Sequence, residues 1–319
     1  MRKRPKLWRS TPPSVFPVSL SLLGLGLGWR NAADVLPIAH EIGDLLLAFA
    51  TAFFLYFFAL YLRKFLTRPA VLIEEVALPT ARAGLAAGAM SMMLLAAALL
   101  PFGISASEVW WFGVVLQVGA SGLGAYAIWR EPAELREFTP FQYLTFVGPV
   151  VGPIAGIPLG HIWESYVLTI AALIPYLVIT VGFAIQSLRH GIPLPLRPAV
   201  AIYLAPNCLF ATSFGLLGVE WEFEIFYWIA GGIALALIAL GPWMSRGGWS
   251  PLWAGFVFPS TAFLLVQVLA VRLGIGKAAL IGAYSAMAFA TPLVLFITYR
   301  FIMTWVTGEL AEGSRAARA

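Results

Sequence analysis

Charge is scarce in this chain. Of its 319 residues, 20 are Lys or Arg, 15 are Asp or Glu and 3 are His, so 11% are charged. A soluble domain carries roughly 25%. The shortage excludes a soluble enzyme with a polar shell, a disordered chain and a nucleic-acid binder, despite a net charge of +5. Cysteine is nearly absent too. The single Cys208 allows no intramolecular disulfide and no thiolate-held metal cluster, and it reads as a small apolar packing residue. No phosphate-binding P-loop occurs, so this chain is not expected to hydrolyse ATP. Gly24, Gly26 and Gly28 imitate a dinucleotide loop, but they follow no strand and Trp29 stands where the final glycine is needed. What is present in excess is apolar: 61% of the residues, with a mean hydropathy of +0.87. Twelve Trp and ten Tyr suit a chain with many membrane–water boundaries to anchor. The class is an all-α integral membrane protein.

A bilayer core of about 30 Å needs roughly 20 apolar helical residues. Ten stretches meet that need. They run Ser14–Trp29, Ile42–Leu62, Ala81–Leu100, Val109–Trp129, Phe141–Leu159, Tyr166–Leu188, Ala199–Leu217, Phe223–Trp243, Leu252–Val271 and Ala278–Tyr299. The first follows Arg2, Lys3, Arg4, Lys6 and Arg9 and resembles a signal peptide. It lacks a small-x-small cleavage site and is read as retained. With the N-terminus in the cytoplasm, only Arg30, Arg272 and Lys277 fall outside, and the other seventeen of the twenty basic residues fall inside. Positive residues resist translocation, so both termini are expected in the cytoplasm of a multi-pass protein of the inner (plasma) membrane. The expected organisation is a basic tail (1–13), a single ten-helix membrane domain (14–300) and a second cytoplasmic tail (301–319). The outer run Glu220-Trp221-Glu222-Phe223-Glu224 reads as a solvated loop with an aromatic anchor in preference to a cation site.

The odd-numbered spans share a proline pattern. Pro198 and Pro206 in span seven, and Pro251 and Pro259 in span nine, stand eight residues apart. Pro140 and Pro149 repeat the pair in span five, Pro79 and Gly88 in span three, and span one carries Pro17. The breaks at Pro149, Pro206 and Pro259 lie 57 and 53 residues apart, the length of two membrane helices with their loops. The pattern predicts five parallel helical-hairpin repeats around a central pore. The odd helices, bent at Pro17, Gly88, Pro149, Pro206 and Pro259, form an inner ring, and the even helices, kinked only at Pro175 and Pro292, form the wall. The alternative is ordinary kinks without a pore. Gly148, Gly152, Gly156 and Gly160 make a small-residue face that reads as helix packing.

The middle of all ten spans contains no Asp, Glu, Lys, Arg or His; the nearest, Asp44 and Arg82, stand close to helix ends. A proton-coupled pump needs a buried carboxylate or histidine, so a proton relay is not expected. His40-Glu41 with Asp44 reads as helix-start capping rather than a metal site, His161 with Glu164 as a solvated loop, and His190 as a cation at a helix C-terminus. No metal, no cofactor and no enzymatic activity are expected. What remains is an apolar pore closed at a hydrophobic constriction. The residues just before each break, Phe16, Ala87, Gly148, Ala205 and Phe258, are the candidate constriction layer. One phenyl ring spans roughly the width of a single-file pore, and Phe258, at mid-span beside a proline, is the foremost gate candidate. Phe256 competes for that position, and a ring merely packed between helices is the plain alternative.

Ten spans, five hairpin repeats and no buried charge resemble the tellurite-resistance/C4-dicarboxylate transporter family, bacterial relatives of the plant slow-type guard-cell anion channels. The resemblance covers nearly the whole chain. It is strongest in Arg197-Pro-Ala-Val-Ala-Ile-Tyr-Leu-Ala-Pro206, in Leu252-Trp253-Ala254 leading to Phe258-Pro259, and in Tyr61-Leu-Arg-Lys-Phe65. It implies a homotrimer in which each protomer has its own pore, occluded by the ninth-helix phenylalanine, here Phe258, with Leu209 beside it. It also implies passage of small inorganic or organic anions, by a passive channel or by a carrier of C4-dicarboxylates, tellurite or sulfite. The residues alone reach only an apolar, gated pore. One departure is an interval from Trp253 to Phe258 one residue longer than in the bacterial relatives.

Overall fold

The computed structural model describes residues 7–132, 134 and 136–319. Arg2, Lys3, Arg4 and Lys6 of the basic tail lie outside the described residues. Among the described residues there is no β-strand. The helices are α1 (Phe16–Ala32), α2 (His40–Thr67), α3 (Ala70–Val76), α4 (Pro79–Leu99), α5 (Ser107–Arg130), α6 (Pro153–Gly156), α7 (Ile162–His190), α8 (Leu204–Leu216), α9 (Glu220–Met244), α10 (Ala254–Arg272), α11 (Lys277–Thr307) and α12 (Glu309–Gly313). Eight helical stretches among the described residues are long and apolar enough to cross a membrane. Two of the ten expected spans fall short of that length. One is α1, with 17 residues, and the other is the stretch from Tyr143 to Gly156, divided into three short helical pieces. At the far end α11 runs to Thr307, past the expected boundary at residue 300.

Burial separates two populations. The stretches Pro79–Phe102, Leu194–Leu216 and Pro251–Arg272 are 78–83% buried, and α2, α5, α7, α9 and α11 only 17–33%. Most of α1 is also buried. The buried segments touch in cyclic order: α10 packs on α1, α1 on α4, α4 on the broken stretch 143–156, that stretch on α8, and α8 on α10. Each is backed by the long helix that follows it, α2, α5, α7, α9 or α11. Those outer helices have 24 to 31 residues and expose Leu, Ile, Phe and Val over their outer faces. In water such faces would aggregate; in hydrocarbon they are at rest.

Proline chemistry explains the irregular inner segments. Leu194–Tyr203 is a ten-residue 3-10 helix leading into α8; Pro195 and Pro198 cannot donate to an α-helical ladder. In the broken stretch Pro149 has no N–H to offer the Thr145 carbonyl, and lipid offers no replacement. Two side chains of α5 supply it: Gln117 Nε2 donates at 3.1 Å and Ser121 Oγ at 2.6 Å. Gln117 Nε2 also lies 3.2 Å from the Leu144 carbonyl. Trp110 Nε1 donates to the Gly152 carbonyl at 2.8 Å, and Ser213 Oγ to the Val150 carbonyl at 3.1 Å. Side chains of neighbouring helices therefore brace the break.

Two expected bends differ, and one proline was not expected. Pro17 occupies the first turn of α1, where a missing N–H costs nothing, so it starts the helix and does not kink it. Gly88 lies within the continuous α4; its role is space, because a Cβ there would come within 3.2 Å of the Phe16 ring. Pro242 joins Pro175 and Pro292 as a proline inside an outer helix. Pro149 falls at the broken stretch, Pro206 in the first turn of α8, and Pro259 inside α10.

The support of the break is testable. Gln117→Leu should lower the stability of the detergent-purified protein by about 1–2 kcal/mol, the range of interhelical hydrogen bonds in membranes, seen as a lower melting midpoint. Ser121→Ala should cost less. The double variant should cost more than the two losses added together, because the Thr145 carbonyl then keeps no donor. A double variant no worse than Gln117→Leu alone would contradict this account.

Candidate functional site

The ring of five inner segments has a cavity at each end. At one end lie both termini of the described chain, joined where the Ala319 N–H donates to the Arg9 carbonyl at 3.0 Å. The cavity at this tail side is about 270 Å³. Ser14 and Pro17, Thr80 and Ala83, Phe141 and Leu144, Ile202 and Phe258 line it from the five segments in turn. None of its lining residues is charged. Gly313 and Ser314 close over it from α12 and the segment beyond.

At the opposite end is a cavity of about 340 Å³, lined by Leu27, Arg30, Ala97, Ile154, Thr212, Leu265 and Arg272 among others. Between the two, a void of about 20 Å³ is lined by Met90, Tyr143, Leu144, Val147, Gly148, Ile202, Ala205, Pro206, Leu209 and Phe258. That is room for about one water molecule, not for a hydrated ion. Phe258 is 5% exposed and borders both the tail-side cavity and this void.

The predicted residues are distributed unevenly. Gly148, Ala205, Leu209 and Phe258 meet around the void. Phe16 does not join them. Its ring packs edge-on against Phe54 and Tyr61 of α2, with centroids 6.3 and 5.6 Å away, and so belongs to the wall. Ala87 is buried in α4 and borders none of the three cavities described; Met90, almost one turn further, takes its place at the void. Phe256 packs edge-on against Trp253 at 5.5 Å and borders none of those cavities. The sequence reading missed Met90, Tyr143 and Ile202. Their only signal was helical spacing from the residues before each break: Met90 follows Ala87 by three, and Ile202 precedes Ala205 by three.

Several polar residues also differ from expectation. Lys64 and Arg82, counted among the basic residues of the cytoplasmic side, are buried. Lys64 Nζ contacts the Glu75 carboxylate of α3 and donates to the Thr11 carbonyl at 2.9 Å. Tyr61 OH donates to Glu75 at 2.6 Å, and the Ala317 N–H bonds the same carboxylate. Burial pushes the Glu75 carboxyl above the usual range, and the Lys64 ammonium opposes that. Arg82 pairs with Glu131 at 3.1 Å. His161 is not free in solvent but stacks on Trp110, centroids 4.8 Å apart. His40 makes no capping bond; its Nε2 lies 2.9 Å from Asp34. Glu220, Glu222 and Glu224 lie in the first turns of α9. Cys208 is a buried free thiol. Among the described residues no group of three or more His, Cys, Asp or Glu is placed to hold a metal ion.

A closed ring of buried helical segments, a wall of apolar helices and aligned cavities define an all-helical integral membrane protein built around an axis. The sequence profile of the voltage-dependent anion channel family matches residues 10–306. The chain belongs to that family, whose members are anion channels or transporters of the tellurite-resistance/C4-dicarboxylate type. No individually curated protein matches the chain.

The buried Lys64–Glu75 pair ties α2, α3 and both chain ends together. Lys64→Met should destabilise the protein by about 3–5 kcal/mol, since it strands a buried carboxylate. Lys64→Met combined with Glu75→Leu should recover much of that loss. Thermal unfolding of the purified variants measures both, and a double variant weaker than the single one would rule out charge stranding as the cause.

Proposed function

We propose that this protein is a passive anion channel, with Phe258 as its gate. The chain crosses the inner (plasma) membrane ten times as five parallel hairpins, both ends in the cytoplasm, and assembles as a homotrimer with one pore per protomer. The tail side is then the cytoplasmic side and the arginine side the outer one. The observation that carries the reading is the position of Phe258, whose ring lies between the tail-side cavity and a void walled by Gly148, Ala205, Leu209 and Met90.

The chemistry follows from the lining. The residues around the void are apolar except for the Tyr143 hydroxyl, which bonds Thr180 Oγ1 at 2.7 Å and is not free to solvate an ion. A narrow, dry, apolar section expels water, and an ion that cannot bring its hydration shell cannot cross. Swinging one ring aside joins void and cavity and lets water in. Gly148, in the 3-10 piece of the broken stretch, and Ala205, in the first turn of α8, are the small residues at the void; a Cβ on Gly148 would come within 2.5 Å of Gln117 Nε2, so glycine there lets the break pack against α5. Proton coupling has no support, because the void's lining includes no carboxylate or imidazole.

Phe258→Ala should raise chloride flux at least about tenfold, equivalent to lowering the barrier by roughly 1.4 kcal/mol, in planar bilayers or proteoliposomes. Phe258→Leu should fall between alanine and wild type. A Phe258→Ala protein that elutes as a folded trimer yet carries no current would defeat the gate assignment. Saturable, pH-dependent flux with competition between dicarboxylates would mark a carrier instead.

A further inference from the structure

The two cavities differ in charge. The tail-side cavity has an uncharged lining. The opposite one is faced by two guanidinium groups, Arg30 and Arg272, together with Asn31 and a single carboxylate, Asp34. They come from the C-terminal ends of α1 and α10 and the turn after α1, on an otherwise apolar wall that includes Leu27, Ala97, Ile154 and Leu265. An apolar wall strengthens the pull of fixed charges on an ion, because it replaces water with a medium of lower dielectric.

Asp34 sits between the two arginines. Its Oδ1 lies 3.3 Å from Arg30 Nη1 and 2.9 Å from His40 Nε2, and its Oδ2 lies 3.1 Å from Arg272 Nη2. Arg30 Nε is also 3.0 Å from Asp44 Oδ1, in ion-pair contact without hydrogen-bond alignment. Arg272 is the less committed of the two. It is 53% exposed, and one nitrogen contacts Asp34, while a guanidinium carries five N–H donors arranged to grip an oxyanion by two at once.

We infer that this vestibule is a binding site for a small anion, in which Arg272 and Arg30 hold the ion and Asp34 is the built-in competitor that it must displace. The inference rests on the channel reading for its place on the conduction path, and the site concentrates anions on the arginine side only. Entry from that side is therefore assisted by charge on the cavity wall itself, which the tail-side cavity lacks. Asp34 keeps the arginines in place when no anion is bound, and it limits how tightly one is held, which a conducting site requires.

The experiment uses chloride in the full-length protein with Phe258→Ala. Arg272→Gln should reduce chloride current entering from the arginine side about threefold at 10 mM salt, and the deficit should shrink at 1 M, where the Debye length falls from about 30 Å to about 3 Å. Asp34→Asn should change the same current in the opposite direction, and neither should alter entry from the tail side as strongly. Equal currents in all three proteins, or shifts of the same sign for both substitutions, would overturn the site. If the Phe258→Ala protein carries no current, the channel reading fails and a binding measurement decides the site. Raising sodium chloride at the expense of sodium gluconate, at constant ionic strength, should then raise the melting midpoint of the wild type but not of Arg30→Gln/Arg272→Gln. No chloride-dependent rise in the wild type would overturn it.

Discussion

The carbonyl of Thr145 must find a donor inside the membrane, and much of the architecture answers that demand. Pro149 takes away the N–H that an unbroken helix would have supplied. In hydrocarbon an unsatisfied carbonyl costs several kcal/mol, so a broken segment is stable only where protein surrounds it. Gln117 and Ser121 of α5 reach in from outside to serve it; Ser213 adds a bond to the Val150 carbonyl, and Trp110 one to the Gly152 carbonyl, which also accepts the Gly156 N–H at 2.8 Å. The broken stretch 143–156 is thereby held in the inner ring, beside the continuous α1 and α4, with α5 and α7 packed behind it. The burial contrast, 78–83% against 17–33%, separates the inner segments from the outer helices. The same break places Gly148 at the narrow void, among the side chains of Met90, Tyr143, Leu209 and Phe258.

The parts of this fold legible in the sequence are those governed by composition and by proline. Apolar runs and the sparse, one-sided charge indicate helices in a membrane, and the spacing of Pro149, Pro206 and Pro259 separates inner segments from outer ones. What proline spacing cannot convey is the direction of a side chain on a helix whose rotation is unknown. Phe16 and Phe258 both precede a proline, yet Phe16 turns to the α2 aromatics while Phe258 borders the axial cavities. The difference arises because Pro17 begins its helix and Pro259 lies inside one. Nor does sequence distance reveal that Lys64 and Glu75, eleven residues apart across a turn, meet in the interior, since isolated basic residues in a loop look alike whether solvated or paired. Gly88 shows the same limit: space for a ring and freedom to bend call for the same residue.

The two ends of the axis are built on different principles. At the tail side, closure is mechanical and uncharged: chain ends fold together over the cavity, with Gly313 and Ser314 at its edge and the Ala317 N–H on Glu75. The charges that hold them, Lys64 and Glu75, are set back in the wall, so the field of the pair is largely spent locally and the cavity sees little of it. At the opposite end the charges stand on the lining itself, half-exposed, in a mesh centred on Asp34. An ion pair in that position has little value for stability, because water competes for both partners. Its value lies in the potential it sets. The lining carries two cations and one carboxylate, and Asp44 behind Arg30 at 3.0 Å offsets part of their charge; no charge stands at the narrow void, where a buried arginine would bind an anion too firmly to release it. In the channel proposed above, attraction at the rim and exclusion at the ring are thus separable properties, carried by residues fourteen positions apart along α10, Phe258 and Arg272. Under the proposed channel function, a chain that must pass anions and yet stay shut needs that separation, since a single site asked to do both would trade rate against closure.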